Sequence, residues 1–263
     1  MDLKLNGRVA LVSAASKGLG KAAAWALARE GADLVIAARG EVALAQTAAE
    51  IRADTGRAVL AVMADVSQAA DIERLAEQAQ ARFGRVDVLV NNAGGPRPGL
   101  FAEMSDEDWL GAVELNLLSA VRLTRAVLPG MQARRWGRII NMTSIAVKQP
   151  LSNLILSNTA RAGLVAMAKT LAGQVAAQGI TVNNVCPGYM LTDRVRGLAE
   201  ATATAEGITI DEAIARNERA IPMKRMGRPE ELAALIAFLA SEQAGYLTGA
   251  TIQVDGGLYQ GLM

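Results

Sequence analysis

SAASKGLGKAAA, Ser13 to Ala24, is where the first apolar run of the chain turns into its first helical one. Gly18 and Gly20 stand at that turn. Glycines between a strand and a helix let the backbone approach a pyrophosphate, and the helix N-terminus adds unpaired N–H groups and a positive dipole end. A tight structural turn carries the same residues, so two glycines alone leave both readings open. The fold is decided by whether the strand–turn–helix unit recurs.

It does recur. Short, β-branched, nearly continuously apolar runs predict strands at Val9–Ser13, Leu34–Ala38, Val59–Met63, Val86–Asn91, Arg138–Met142, Thr181–Val185 and Thr251–Val254, a pattern that suits strands buried on both faces. Helical patterns lie between them: Ile72, Leu75, Ala76, Ala79 and Phe83 fall on one helical face, as do Leu232, Leu235, Ile236 and Leu239. Ser105 with Glu107 and Asp108 reads as a helix start, and Pro229 suits a first helical turn. The alternation predicts right-handed βαβ units: an α/β fold with a doubly wound, seven-stranded parallel sheet and helices on both faces. No linker, repeat or low-complexity tract divides the chain, so residues 1–263 read as one domain. The long stretch Leu191 to Arg228, with two weak helical segments, follows the sixth strand, where such folds carry their site. It reads as a lid over a substrate, or as a variable surface excursion.

The bulk numbers narrow the function. With 263 residues, 51% hydrophobic, the chain can bury a large core. Lys plus Arg is 27 against 26 for Asp plus Glu, and a net charge of +1 offers no field for nucleic acid or an anionic membrane. Aromatics, at 3%, are too few for base-stacking platforms. One cysteine, Cys186, allows no internal disulfide and fits a reducing compartment. The opening MDLKLNGRVALV has no signal-peptide pattern, and no apolar run approaches the roughly 18 residues of a membrane span, so a cytoplasmic protein is expected. The chain has no histidine, which excludes imidazole catalysis, His-ligated metals and a Ser-His-Asp triad; no metal site is expected.

Two cations sharpen the glycine turn. Lys17 lies inside it, and Arg39 follows the second strand in VIAARG. An NAD site usually places an acid at the end of that strand for the ribose hydroxyls; Ala38 holds that place and a cation follows, which suits the 2′-phosphate of NADP. NADP(H) is therefore expected in preference to NAD(H), the rival reading of Arg39 being a solvated helix start.

With these residues in view, the chain resembles the short-chain dehydrogenase/reductase family from end to end. SAASKGLG stands where that family has T-G-x-x-x-G-x-G, Asp65-Val66 where an acidic turn meets the adenine, and Asn91 to Gly94 where it has N-N-A-G. Asn116 matches its helix asparagine, Ser144 its catalytic serine, and Pro187-Gly188 with Thr192 its P-G-x-x-x-T segment. The tail from Pro222 to Gly257 also matches. Within the family the chain looks most like beta-ketoacyl-ACP-reductase-like members, and closer still to a divergent branch with N-N-A-G-G-P, V-K-x-P and S-N-x-x-R, here Asn91–Pro96, Val147–Pro150 and Ser157–Arg161. The resemblance implies a Rossmann fold and cofactor contacts from Ser13, Ser16, Lys17, Gly18, Leu19, Arg39, Asp65, Val66, Asn92, Ala93, Gly94, Pro187, Gly188 and Thr192. It implies catalytic roles for Ser144 and Asn116, with Ser157 and Arg161 at the remaining two catalytic positions.

Two departures matter. The first loop glycine is Ala14, whose methyl group is expected to alter cofactor affinity without abolishing it. Thirteen residues beyond Ser144, where the family has tyrosine, stands Ser157; four further on, where it has lysine, stands Arg161. A phenol ordinarily titrates near 10 and a neighbouring ammonium lowers it, whereas a serine hydroxyl is a far weaker acid. Positioned acid–base help is worth roughly 10²–10⁴-fold. Arginine keeps the charge but stays protonated and relays no proton readily. Other donors come into view: Lys148, Tyr189, or a water ordered by Asn116. Lys148 also reads as a loop lysine, Tyr189 as a substrate wall, and Cys186 as a buried structural thiol. Arg194, Arg196, Arg216, Arg219, Lys224 and Arg225 would receive the phosphates of a thioester carrier, or form a solvated face with the interleaved acids.

Three functions stay open: an NADP-dependent carbonyl reductase or alcohol dehydrogenase with a substituted relay, acting on a small carbonyl, alcohol or acyl thioester; an NADP-binding sensor or partner subunit; and an enzyme without net redox. The family is commonly tetrameric through the helices holding Asn116 and Arg161, so a homotetramer or homodimer is expected. The apolar stripe Leu164, Ala168, Leu171, Ala172, Val175 fits that interface, or the monomer core.

Overall fold

In a computed structural model describing residues 1–262, the alternation read from the sequence becomes β1 (Val9–Ser13), α1 (Gly18–Arg29), β2 (Asp33–Ala38), α2 (Glu41–Thr55), β3 (Val59–Met63), α3 (Ala69–Phe83) and β4 (Val88–Asn91). Then follow α4 (Asp106–Val113), α5 (Ser119–Arg134), β5 (Gly137–Met142), α6 (Ile155–Val175) and β6 (Ile180–Pro187). The chain closes with α7 (Asp193–Glu206), α8 (Ile210–Ala220), α9 (Pro229–Ala240) and β7 (Thr251–Val254). All seven strands pair in parallel in the order β3-β2-β1-β4-β5-β6-β7. The strand order reverses between β1 and β4, so the crevice that receives a ligand opens above their carboxyl ends. This is the single-domain Rossmann-type fold that the alternation predicts.

Each face of the sheet carries its own core. On one side Ala24 and Leu27 of α1, Ile51 of α2 and Ile236 of α9 pack against Val12 and Ile36. On the other, Leu75 of α3, Leu123 of α5 and Ala168, Ala172 and Val175 of α6 pack against Leu11, Val35 and Val182. Three members of the predicted α6 stripe therefore serve the chain's own core.

A row of amides crosses the sheet inside this apolar frame. Asn91 Nδ2 donates to Asn141 Oδ1 (2.8 Å), Asn141 Nδ2 to Asn184 Oδ1 (2.9 Å), and Asn184 Nδ2 to Thr251 Oγ1 (3.1 Å). These four residues are paired across β4, β5, β6 and β7 in the same register.

β2, β5 and β6 each begin one residue earlier than expected, and three larger differences remain. β4 begins at Val88 instead of Val86; just before it, the carboxylate of buried Asp87 accepts from Val9 N (3.0 Å) and pairs with Arg85 and Arg134, while its backbone bonds Val9 O and Arg138 N. β6 runs on to Pro187, since Pro187 still pairs with Val254. The segment 191–228 is mostly helical, as α7 and α8. Gly207 ends α7 at φ 69°, and a Thr209–Glu212 capping box starts α8. No described helix is long and apolar enough to cross a membrane.

Candidate active site

The turn between β1 and α1 forms one wall of a cleft of about 320 Å³ at the carboxyl ends of the strands. Gly18 adopts φ 56°, and Ala14 sits at φ 49°, a left-handed backbone that alanine reaches only at a cost of about 1–2 kcal/mol. Lys17 is the N-cap of α1 and gives it no side-chain cap, so the first N–H groups of the helix remain open toward the cleft. Gly20 packs against the turn, leaving no room for a Cβ beside Ala14 O and Asn92 Nδ2. These are the features a bound pyrophosphate requires.

The predicted cofactor residues separate into groups. Lys17, Gly18 and Leu19 line the cleft from the loop, Asn92, Ala93 and Gly94 from β4, and Pro187, Gly188 and Thr192 from β6. Ser13 does not line it. Its hydroxyl is fully buried and donates to Asn92 O (2.7 Å) while accepting from Asn92 N (2.9 Å), so it ties the loop to β4. Ser16 also lies off the wall, its carbonyl accepting from Thr47 Oγ1. Arg39 is exposed beside Asp65, with 3.9 Å between guanidinium and carboxylate, at the ends of β2 and β3. Asp65 holds its own turn by accepting from Ser67 N and Oγ, and Val66 is buried in the core.

Ser144 and Ser157 face the cleft. Ser144 Oγ accepts from Ala146 N (3.1 Å), and Ser157 Oγ accepts from Arg161 Nε (3.2 Å). In both, the hydroxyl proton is free to point elsewhere. Asn116 lies in a π-helical turn, Glu114–Leu118, joining α4 to α5, a local widening common at functional sites. Its Nδ2 donates to Gly94 O (2.8 Å), and its buried Oδ1 has no partner among the described residues.

Arg161 is the unexpected member. Its side chain is buried beneath the cleft, and its five N–H groups have five acceptors: Ser157 Oγ, the carbonyls of Met142 (2.9 Å) and Thr143 (3.2 Å), and those of Ala93 (3.3 Å) and Gly94 (3.4 Å). It staples the ends of β4 and β5 together and has no carboxylate partner among the described residues. Burial, assisted by the charge of Arg194, pushes its guanidinium down to about 10. It is still a cation at neutral pH.

The other candidates are placed as follows. Lys148 does not line the cleft; its Nζ donates to Gln253 Oε1 (2.9 Å) and lies over the Tyr259 ring. Cys186 is buried against Thr143 Oγ1 (3.0 Å), and burial pushes its thiol up, away from nucleophilic use. Tyr189 does line the cleft. Of the basic residues in the segment 191–228, Arg216 and Arg225 pair with Glu206 and Glu231, and Lys224 bonds Arg219 O. Among the described residues, Arg194 is the one of these six that lines the cleft, donating to Pro96 O (3.2 Å) over Gly95, where a side chain would collide with it. The apolar wall of Leu151, Leu154 and Leu198 was not read from sequence; Leu198, one helical turn beyond Arg194, was the available signal.

A family model described as enoyl-(acyl carrier protein) reductase matches residues 13–259. The 3-oxoacyl-[acyl-carrier-protein] reductase of Escherichia coli is 38% identical over 257 residues, covering 98% of this chain and 99% of that protein. That of Synechocystis is 40% identical over 256 residues, covering 97% and 98%. The chain belongs to the short-chain dehydrogenase/reductase family. Among solved structures of that family, L-sorbose reductase from Gluconobacter frateurii, complexed with NADPH and L-sorbose, superposes with a TM-score of 0.96 at 36% identity over the whole of both chains. Actinorhodin polyketide ketoreductase with NADPH gives 0.92 at 37%, covering 95% of this chain and 97% of that one.

Proposed function

We propose that the chain is an NADP(H)-dependent carbonyl reductase, running in reverse as an alcohol dehydrogenase, with Ser157 and Arg161 in place of the family's tyrosine and lysine. The reading rests on one observation. A phosphate-ready helix end and a pair of hydroxyls over a buried cation share one cleft. It is supported by relatives that are 3-oxoacyl-carrier-protein reductases and by structural neighbours solved with NADPH.

Lys17, Gly18 and Leu19 would hold the diphosphate, Arg39 and Lys17 the 2′-phosphate, and Pro187, Gly188 and Thr192 the nicotinamide end. Bound there, NADPH supplies the hydride. Ser144 and Ser157 donate their free hydroxyl protons as hydrogen bonds to the substrate oxygen, fixing the carbonyl. Arg161 keeps a constant positive charge beneath them, which stabilises the negative charge that grows on that oxygen. With its five N–H groups committed to acceptors, Arg161 moves no proton itself. The α7–α8 segment serves as the lid, held closed by Arg194 on Pro96. The substrate is a small carbonyl or alcohol, with an acyl thioester as the form the relatives suggest. The protein works in a reducing compartment, the cytoplasm, as a homotetramer or homodimer through α5 and α6.

The same commitment of Arg161 favours a second reading, an NADP-binding sensor or partner subunit with little chemistry. NADPH consumption against β-ketoacyl thioesters, ketones and aldehydes separates the two. Turnover supports the reductase; tight NADPH binding with no turnover on any carbonyl refutes it. An Arg39→Asp, Lys17→Ser protein should lose its preference for NADPH over NADH, and a monomer peak in light scattering would remove the oligomer.

A further inference from the structure

Resting on the reductase reading, we propose that the Tyr189 phenol is the proton donor to the substrate oxygen, taking over from a different strand end the role that Ser157 leaves vacant. The chemistry needs a neutral acid on the cleft wall. The guanidinium of Arg161 spends all its N–H groups on Ser157 Oγ and four carbonyl oxygens, and that of Arg194 donates to Pro96 O. Aliphatic hydroxyls such as those of Ser144 and Ser157 are far weaker acids than a phenol. Lys148 is turned away to Gln253. Asp193 is a solvent-exposed carboxylate at the start of α7. Of the three tyrosines, Tyr246 is fully exposed on the surface and Tyr259 lies under Lys148, which leaves Tyr189 as the phenol on the cleft wall.

Its position fits the task. β5 and β6 are neighbours with Met142 opposite Val185, so Ser144 and Tyr189 leave adjacent strand ends two and four residues beyond that pair. Neighbouring strands lie about 4.8 Å apart, well within the reach of a tyrosine side chain. The backbone on either side is pinned: Gly188 N donates to Val254 O (3.0 Å), and Tyr189 O accepts from Gly227 N (3.0 Å). Tyr189 therefore stands on a fixed backbone in the wall of the cleft that Ser144 and Ser157 also line. Its hydroxyl makes no hydrogen bond to any described residue, so its proton is available to a substrate. The step balances. The hydride of NADPH forms the new C–H bond as the C=O π pair moves to oxygen, that oxygen takes the phenol proton, and solvent returns a proton to the phenolate.

The test compares the natural protein with Tyr189→Phe, with Tyr246→Phe as the control expected to match the natural protein. With NADPH and whichever carbonyl turns over, Tyr189→Phe should lower kcat by about 10²–10⁴-fold, with KM raised by no more than about 10-fold. In the unreactive complex with NADP⁺, calorimetry should show the ketone bound about 2–10-fold more weakly by Tyr189→Phe, for one lost hydrogen bond. NADPH affinity should be unchanged. If the natural protein turns over and Tyr189→Phe keeps kcat within about threefold, the donor assignment is overturned and the reductase reading stands. If the natural protein reduces no carbonyl, the reductase reading falls and takes this assignment with it.

Discussion

Replacing Gly20 with alanine tests whether the glycine turn is built to its limit. A Cβ at Gly20 would stand 2.9 Å from the carbonyl carbon of Ala14 and 2.7 Å from Asn92 Nδ2, and closer still to Ala14 O. The first distance falls roughly 0.6 Å short of an ordinary carbon contact of about 3.5 Å. The obstacle is backbone, and Ala14 already holds a left-handed φ of 49°, so the turn has little freedom to yield. Overpacking of this kind costs about 1–3 kcal/mol, and the upper end applies against a carbonyl. Helix propensity returns about 1 kcal/mol for Gly→Ala. The net expectation is a loss of about 2 kcal/mol, or roughly 4–8 °C in Tm for a chain of this size. Because the first turn of α1 moves with the strain, NADPH affinity should fall at least about tenfold, equivalent to about 1.4 kcal/mol. The comparison is Gly197→Ala in α7, where a Cβ meets nothing within 4 Å and stability should rise by up to about 1 kcal/mol. Urea unfolding and a fluorescence titration with NADPH read both. If Gly20→Ala shifts stability in the same direction as Gly197→Ala and leaves the affinity intact, the close packing of the turn is not what holds it.

Ala14→Gly should stabilise by about 0.5–1 kcal/mol: relief of left-handed strain (about 1–2 kcal/mol) exceeds the added freedom of glycine in the unfolded chain (about 0.4–1 kcal/mol), and a fall in the urea midpoint would contradict this. Asn141→Ala leaves Asn91 Nδ2 and Asn184 Oδ1 each short of a partner in the core, so a loss of about 2–4 kcal/mol is expected. Adding Asn184→Ala should cost less than the sum of the two single changes, and strict additivity would argue against a coupled row. Bidentate pairing with Arg225, helped by Arg228 N–H, holds the Glu231 carboxyl down to about 2. A depressed acid stabilises fully above its unfolded value of about 4.5 and loses that contribution as pH falls through about 2. Glu231→Gln should therefore flatten the acid limb of stability between those limits, with neutral-pH stability lower.

The strands were legible because each is an apolar run that must be buried on both faces, and the loop was legible because backbone approach to a phosphate needs glycine. The helices α7 and α8 carried readable signals in Gly207 and in Thr209 with Glu212, which their few large apolar residues obscured. What escaped were facts of tertiary partnership. Sequence shows that Arg161 follows Ser157 by one helical turn; it does not show that Arg161 spends its remaining donors on carbonyls from β4 and β5, up to 68 residues away. Lys148 similarly finds Gln253 across 105 residues. Asn91, Asn141 and Asn184 were visible as polar interruptions in apolar strands, but their alignment depends on register, which the strands establish only together.

That row of amides has a consequence for how the sheet assembles. Apolar strands are poor at distinguishing one alignment from the next, since a slipped valine still meets a valine. An amide on each of β4, β5 and β6 works as a parity check. A slip of one residue turns the amide to the opposite face, and a slip of two sets it against an aliphatic side chain, so each error strands polar groups in the core at about 1–3 kcal/mol apiece. Thr251 ends the row on β7, the last strand in the chain. A misaligned early pair thus leaves the closing strand without its proper mate, and the error is penalised before the sheet is complete.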